Sequence, residues 1–157
     1  MARVARHLDA IEWPPNVRRA SGRTPSRTVA RATDAGAIAE QHGRQVRGAL
    51  AEFAAAALLL LKGYRIIDRR HRNRSGEIDL IAVRGRRLAF VEVKFRRTIE
   101  AAAASITGCQ VARIAATAER WVWQHPRYHD HEIGLDAVLV APGRLPQHAM
   151  NALQPHG

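Results

Sequence analysis

The chain has 157 residues and a formal net charge of +11 at pH 7, with 25 Lys and Arg against 14 Asp and Glu. Its single cysteine, Cys109, excludes an internal disulfide framework and is compatible with a reducing cytosol. The chain start has no apolar segment typical of a secretory signal, and the longest apolar run is too short to span a bilayer. We therefore expect a cytoplasmic protein with no membrane partner, built as one domain plus some additional length.

The positive charge is concentrated in the middle of the chain. Residues 44–97 contain fourteen Lys and Arg against five acids, a net +9, whereas residues 98–157 carry a net −1. Such a concentration indicates a polyanionic partner, most often nucleic acid, and we expect DNA. A genome that favours Arg codons would give the same composition, so this alternative stays open.

Residues 1–40 show no sustained hydrophobic period and combine Pro with scattered Arg, Ser and Thr. Such sequence buries too little apolar area to offset the entropy of ordering it. We expect a basic, disordered extension: an arm along phosphates, a passive tail, or the product of a start codon assigned too far upstream. The folded domain is expected over residues 41–142, followed by a flexible tail over residues 143–157.

A helix is predicted over residues 44–62, because Ala and Leu dominate this run and Gly63 follows as a natural stop. The run is apolar nearly all round, which predicts burial. It contains one acid, Glu52. Two explanations compete: a carboxylate near a helix start is favoured by the helix dipole, and a carboxylate on a buried helix is aimed at a metal or a cation.

Three strands follow the helix, and the last two form a hairpin. Their predicted bounds are residues 64–69, 77–84 and 87–96. Gly85 suits the first central position of a two-residue turn of the II′ type, which would pair Arg84 with Arg87.

The second half of the chain predicts one more helix and one more strand. Residues 107–124 have apolar side chains at spacings of three and four, typical of an amphipathic helix, and residues 135–141 read as a strand. Residues 98–105 are Ala-rich and fit neither state clearly. The order helix, three strands, helix, strand predicts a three-layer α/β sandwich with a mixed central sheet.

The hairpin carries charges where a core strand would have Val or Ile. Its simplest register places Asp79 directly opposite Glu92, and Glu77 opposite Lys94. All four side chains then share one face of the sheet. Charges on a strand pair that is otherwise apolar on both faces need a compensating reason.

Asp79 and Glu92 on one face are suited to share a Mg²⁺ or Mn²⁺, which prefer oxygen ligands. Lys94, on the same face, could hold a water or neutralise a phosphate. Glu52 could complete the site from the first helix. These are the parts of metal-assisted phosphodiester hydrolysis. The alternative is a buried salt-bridge cluster of the three hairpin acids around Lys94, in which acid exceeds base unless an Arg joins it. Glu77 is read as a partner of Lys94 or of a nearby Arg rather than as a ligand.

Three stretches, taken together, resemble a known family. They are Glu52-x-x-Ala55 with Leu59, Gly63 and Tyr64; Gly76-Glu77-Ile78-Asp79-Leu80-Ile81; and Phe90-Val91-Glu92-Val93-Lys94 with Arg96. The pattern resembles the YraN-like family of small bacterial proteins. That family looks like a branch of the PD-(D/E)xK nuclease superfamily and is distantly similar to archaeal Holliday-junction resolvases.

The resemblance implies a restriction-endonuclease-like fold and a set of catalytic residues. Asp79 and Glu92 would be metal ligands, with the main-chain carbonyl of Val93 as a third. Lys94 would be the catalytic lysine, and Glu52 an accessory catalytic acid that also reaches the metal.

The chain departs from the family pattern at three positions. Arg70 stands where Asn is expected, Gln110 where a basic residue is expected, and Gly134 where Arg is usual. Because the acids and Lys94 are kept, these departures put substrate contacts in doubt more than metal chemistry. A second metal candidate is the turn with His125, His129, Asp130 and His131, whose spacing matches no metal motif and which also fits an exposed turn.

The sequence favours a Mg²⁺-dependent endodeoxyribonuclease that hydrolyses phosphodiester bonds of branched or structured DNA, as in repair or recombination. The alternative is a non-catalytic nucleic-acid-binding protein on a nuclease fold. Whether RNA also serves is open, and cleavage of junctions would imply a two-fold homodimer. We expect phosphate contacts from the basic residues around the hairpin: Arg69, Arg70, Arg72, Arg74, Arg96 and Arg97.

Overall fold

A computed structural model of the chain describes residues 30–153. Contacts divide the chain into two units, Met1–His42 and Gly43–Gly157. The first contributes the beginning of the first helix, and the second holds everything else considered below. The elements are α1 (Ala30–Leu61), β1 (Arg65–Asn73), β2 (Gly76–Arg84), β3 (Arg87–Phe95), α2 (Ile99–Ala104), α3 (Gly108–Gln124), β4 (Glu132–Val140) and β5 (Gln147–Ala149).

The five strands form one mixed sheet in the order β1-β2-β3-β4-β5. The β1–β2 and β2–β3 pairs are antiparallel, β3 and β4 are parallel, and β5 is antiparallel to β4. The parallel step needs a crossover, which α2 and α3 supply. This mixed sheet flanked by helices confirms the predicted α/β class and is consistent with a restriction-endonuclease-like sandwich. No helix in residues 30–153 has the length and apolarity needed to cross a membrane.

Each face of the sheet has its own apolar cluster. On one face Leu80, Val91 and Val138 pack with the buried side of α1. On the other face Phe90 packs with α3, whose Trp121 ring meets it edge-on at a centroid distance of 5.6 Å. The strands between the two helices are therefore buried on both faces, as the apolar pattern of the hairpin predicted.

One side of α1 remains open to solvent. Ala51, Ala55 and Leu59 are buried against the sheet, and the small alanines let the helix lie close to it. On the other side Leu50 and Phe53 are 64% and 70% exposed. The prediction that this helix is buried all round is therefore wrong, because composition alone does not distinguish one contact face from two.

The hairpin turn has the predicted register. Arg84 pairs with Arg87, and Gly85 has φ +57°, the left-handed conformation that the first central position of such a turn requires. The predicted pairing continues as far as Leu80 and Val91. The β2–β3 ladder ends there, so the first four residues of β2, Gly76 to Asp79, are not paired with β3. This early end determines the geometry of the site described below.

Two segments differ from the sequence expectation. The Ala-rich stretch after β3 contains α2, capped by the Thr98 hydroxyl, which accepts a hydrogen bond from the amide of Ala101. Residues 147–153, assigned to a flexible tail, instead add β5 to the sheet and bury Leu153 in the core. Of the expected N-terminal extension, residues 1–29 lie outside the described residues, and α1 begins at Ala30 rather than near residue 44.

A buried polar network fixes this C-terminal segment. The carboxylate of Asp136, which is fully buried, accepts hydrogen bonds from Arg87, from the ring of His148 and from the amide of Asn151, each at 2.8 Å. The guanidinium of Arg87 also occupies the space beside Gly134, where any Cβ atom would overlap it. Any side chain at position 134, including the Arg expected there from the resemblance, would therefore have to displace the Arg87 guanidinium in this chain.

Candidate active site and arginine cleft

Asp79 lies where β2 leaves β3. Its Oδ2 atom accepts a hydrogen bond from the amide of Val93 at 2.7 Å, in place of a main-chain carbonyl of the ladder. The predicted direct pairing of Asp79 with Glu92 is therefore wrong: the ladder stops one residue earlier, at Leu80. The Asp79 carboxylate instead fills the gap between the two diverging strands.

Glu92 and Lys94 form an ion pair on the side of β3 that faces α3. Lys94 Nζ donates to Glu92 Oε1 at 2.7 Å, and the amide nitrogen of the Gln110 side chain donates to the same oxygen at 2.6 Å. Both charged side chains are nearly buried, with 11% and 12% of their surface exposed. Among residues 30–153, no hydrogen bond is formed to the other oxygen, Oε2. Gln110, at the position where a basic residue was expected, thus orients Glu92.

The pKa of Asp79 is raised to about 7, first because the carboxyl is buried and then because the negative charge of Glu92 lies close to it. Glu52 adds a smaller effect in the same direction. The amide of Val93 and the ammonium of Lys94 act in the opposite direction but do not compensate. Asp79 and Glu92 are therefore close enough to repel each other, and together they set two carboxylates against the one ammonium of Lys94.

Glu52 is bound to a cation, namely the guanidinium of Arg70. The pair is bidentate, with nitrogen–oxygen distances of 2.8 and 3.1 Å. Of the two explanations for this acid, the helix-dipole one is wrong because α1 begins at Ala30, far from Glu52. Arg70 itself has φ +49°, a backbone region in which Asn is far commoner than Arg. This explains why Asn would suit the position.

Glu77 does not contact Lys94. It is exposed, lies opposite Arg72 in the β1–β2 ladder and forms an ion pair with it at 3.0 Å. Of the two partners considered for Glu77, the structure has the arginine. The alternative of one buried cluster of three hairpin acids around Lys94 is therefore not what forms.

The residues fit a divalent cation only as a two-carboxylate set. No group of three or more His, Cys, Asp or Glu in the described part of the chain converges to hold a metal ion. Mg²⁺, however, is usually held by one or two carboxylates, with waters and substrate phosphates completing its octahedron. Asp79 and Glu92, which lie close enough for the charge of Glu92 to raise the pKa of Asp79, are the two carboxylates that such a set would use.

A cleft of about 290 Å³ opens beside Asp79 on the α1 side of the sheet. Its lining residues are Arg44, Arg47, Gly48, Ala51, Glu52, Asp79, Val93, Phe95 and Arg96. Of the three arginines of the cleft, Arg96 was predicted from the sequence to contact phosphate, whereas Arg44 and Arg47 were not. A signal was present, since these two arginines are three residues apart on the helix that carries Glu52, and such residues share a face.

The structure thus divides the predicted site residues between two sides of β3. Asp79 and Glu52 line the cleft on the α1 side, whereas Glu92 and Lys94 form their ion pair on the α3 side. Asp79 lies between the strands, close enough to Glu92 for its charge to raise the pKa of Asp79. The other predicted phosphate ligands, Arg69, Arg72, Arg74 and Arg97, are exposed, and none of them lines the cleft.

The His-rich turn has structural roles. His125 stacks on Trp121 at a centroid distance of 3.7 Å, and its ring bonds to the carbonyl of that residue. His129 bonds to the carbonyl of Val122, so both rings satisfy carbonyls at the end of α3. The rings are not gathered around a common point, which argues against the second metal candidate.

Comparisons of the sequence with known proteins show a family that contains these residues. The model of "Uncharacterised protein family UPF0102" matches residues 51–140, a segment that contains Glu52, Asp79, Glu92 and Lys94. A UPF0102 protein of Nitrobacter winogradskyi is 49% identical over 67% of this chain and 89% of its own length. One of Rhodopseudomonas palustris (strain BisB18) is 50% identical over 64% of this chain and 75% of its own. One of Methylorubrum extorquens is 47% identical over 74% and 88%.

Proposed function

The chain belongs to the uncharacterised family UPF0102, within the PD-(D/E)xK nuclease-like superfamily, and we propose that it is a metal-dependent endodeoxyribonuclease. Its substrate is branched or otherwise structured DNA, whose phosphodiester bonds it hydrolyses. The observation that carries the proposal is the position of Asp79 in the gap between β2 and β3, beside the Lys94–Glu92 ion pair. Apolar side chains would stabilise this place in the fold at least as well as a buried lysine and two neighbouring carboxylates do. The charges therefore favour a functional role.

Asp79 and Glu92 would hold a Mg²⁺ or Mn²⁺ ion, which when bound supplies a Lewis acid for the phosphate and lowers the pKa of a bound water. Glu92 is ready for this role because Lys94 and Gln110 occupy only its Oε1 atom. The amide of Val93 fixes the orientation of the Asp79 carboxylate. The orientation of each carboxylate is therefore fixed by a hydrogen bond in the absence of a metal.

Lys94 is the proposed source of positive charge at the reacting phosphate. Its ammonium is nearly buried and anchored by one carboxylate oxygen, which leaves its other hydrogens for a water or a phosphate oxygen. A fixed cation in a site of low exposure stabilises developing negative charge more than a solvated one does. Glu52, held by Arg70, is a supporting acid in this proposal rather than a metal ligand.

A second candidate function is nucleic-acid binding without cleavage. The observation in its favour is the bidentate Arg70–Glu52 pair, which occupies the accessory acid, together with the lack of a third converging ligand among the described residues. Under this function the arginines serve the same partner, and Asp79 and Glu92 are remnants of a catalytic set.

The experiment is cleavage of end-labelled four-way junction, flap and linear duplex DNA with Mg²⁺, Mn²⁺ or EDTA. Asp79→Ala and Lys94→Ala should each lower the metal-dependent rate by roughly a hundredfold or more, the effect typical of losing one electrostatic group. The matched control is Glu77→Gln, which removes an exposed acid of the same strand and should cut at the wild-type rate.

The outcomes separate the two functions. Absence of metal-dependent cleavage of every substrate, with tight binding retained, would leave only the binding function. Cutting that persists equally in both alanine variants would indicate a contaminating nuclease. Faster cutting of junction and flap than of linear duplex supports the branched substrate, and a parallel RNA junction tests whether the sugar matters.

A further inference from the structure

We infer that Arg44, Arg47 and Arg96 form a binding site for an internal phosphodiester of the nucleic-acid strand, next to the phosphate that is cleaved. The inference rests on the proposed function, since Asp79, the proposed catalytic acid, lines the same cleft. It adds a subsite on α1 and states which part of the substrate it takes.

The site is built by two elements that meet at the cleft. Arg44 and Arg47 are separated by less than one turn of α1 and lie on the same side of it. Arg96 follows the last residue of β3, and its Nη1 donates to the carbonyl of Phe95 at 2.7 Å, which holds the side chain near the strand end. Arg44 and Arg47 form no ion pair with any residue in the described part of the chain.

Three guanidinium groups around one cleft attract an anion. The two acids of the cleft do not serve: Glu52 is taken by Arg70, and Asp79 accepts from the amide of Val93. Arginine presents its donors in a planar fork that matches two oxygens of a phosphate, so several arginines at one point favour a phosphate over a halide or a single carboxylate.

The shape of the cleft favours a strand over a free nucleotide. Its volume of about 290 Å³ is at the lower limit for small-molecule sites, and Phe95 is the one aromatic side chain in its lining. A free nucleotide would need an enclosed apolar slot for its base. A phosphodiester inside a strand needs only a charged trough, because the rest of the strand is held elsewhere.

Gly48 marks where the backbone of the strand approaches α1. A Cβ atom added at this helical glycine meets no other atom within 4 Å, so it would point into open space. Gly48 also lines the cleft one turn after Arg44. A larger side chain at position 48 would therefore extend into the proposed site while every arginine is kept.

The first test measures binding, so that it does not depend on cleavage. A labelled single strand, and a junction carrying it, are titrated in EDTA with a set of probes that each carry one neutral methylphosphonate linkage. The wild-type protein should lose affinity by roughly tenfold or more at one internal linkage, the share of a charge-assisted contact. In the Arg44→Gln/Arg47→Gln variant the same linkage should have no effect.

The control variant is Arg120→Gln/Arg127→Gln, which removes the same charge from α3 and the turn after it. The slope of log affinity against log salt should fall by about one or two in the cleft variant and stay at the wild-type value in the control. Equal slopes in the two variants would overturn the inference, because the arginines would then act only through overall charge.

Two further variants keep the inference testable if the double variant folds poorly. Gly48→Leu should weaken binding while raising helix stability, since Leu is a better helix former than Gly, and Gly48→Ala should bind as the wild type does. Unchanged binding by Gly48→Leu would overturn the site. A dependence on a 5′-terminal phosphate, with no sensitive internal linkage, would overturn the assignment to an internal phosphodiester.

Cleavage mapping connects the subsite to the reaction. If the enzyme cuts, the sensitive linkage should lie within two nucleotides of the cut, and a distant linkage would refute the adjacency. If the enzyme does not cut but the linkage effect and its loss in the cleft variant are found, the proposed nuclease activity fails while the phosphate site stands.

Discussion

Replacing Asp79 by Asn should make the metal-free protein more stable, and the gain should depend on pH. Burial and the charge of Glu92 raise the pKa of Asp79 from 3.8 to about 7. Between these two values the folded state binds a proton that the unfolded state has already released. The free energy of unfolding therefore falls as pH rises through this window.

The size of the effect follows from the shift. About three pKa units at 1.36 kcal/mol each amount to roughly 4 kcal/mol of stability that the wild type lacks at pH 8 relative to pH 4. Asn is nearly isosteric and keeps an oxygen that accepts from the amide of Val93, so the variant avoids the cost without losing the hydrogen bond. We expect Asp79→Asn to gain about 2–4 kcal/mol at pH 8 and close to nothing at pH 4.

The assay is urea unfolding of both proteins in EDTA from pH 4 to pH 8, followed at pH 8 by addition of Mg²⁺. A metal that binds only the folded state should restore stability to the wild type and not to the variant, by about 2.7 kcal/mol at a hundred times its dissociation constant. Glu77→Gln serves as the control: it keeps Asp79, so its free energy of unfolding should fall between pH 4 and pH 8 as that of the wild type does.

Two results would refute this reasoning. A variant that is less stable than the wild type at pH 8 would mean that the Asp79 carboxylate is stabilising as it stands. A gain of equal size at every pH would mean that the effect arises from packing and not from the charge between β2 and β3.

Gln110→Ala should weaken Mg²⁺ binding by roughly tenfold in calorimetry, because Glu92 loses the donor that orients it while Lys94 stays; affinity equal to the wild type would remove Gln110 from the site. Asp136→Ala should lower the free energy of unfolding by about 3–5 kcal/mol, since it leaves the nearly buried guanidinium of Arg87 with too few partners; a loss under 1 kcal/mol in urea unfolding would contradict this. Arg70→Asn should relieve the left-handed backbone at position 70 and leave the charge of Glu52, which acts on Asp79, without its cation, so Mg²⁺ affinity should rise; an unchanged calorimetric titration would contradict this electrostatic role of Glu52.

The hairpin could be predicted from the sequence because its information is local. Gly85 defines the turn, and the alternation of side chains on either side defines the register from Arg84 as far as Leu80. Extending this alternation to Asp79 predicts the wrong partner, because the extension assumes that both strands stay paired. At the divergence the Asp79 carboxylate accepts the hydrogen bond from the amide of Val93, and a residue pattern contains no sign of such a side-chain contact.

The arginines of α1 and the C-terminal strand were missed for a different reason. Arg44 and Arg47 acquire a role only because β3 brings Arg96 next to them, a contact between segments far apart in the chain. Leu153 and the short strand β5 follow Pro142 and Gly143, residues that read as the end of a domain. Their burial depends on Asp136, which sits in another strand and binds the backbone of Asn151.

The placement of the charged pair on one strand also bears on how the protein folds. Glu92 and Lys94 are two residues apart, and the hairpin that carries them closes over a two-residue turn, so their ion pair forms with contacts that are local in sequence. The pairing of β3 with β4 joins residues 45 apart, such as Arg87 and Glu132, and should come later. We expect the Glu92–Lys94 ion pair to form before α3 and β4 cover the strand, so that neither charge is buried without a partner.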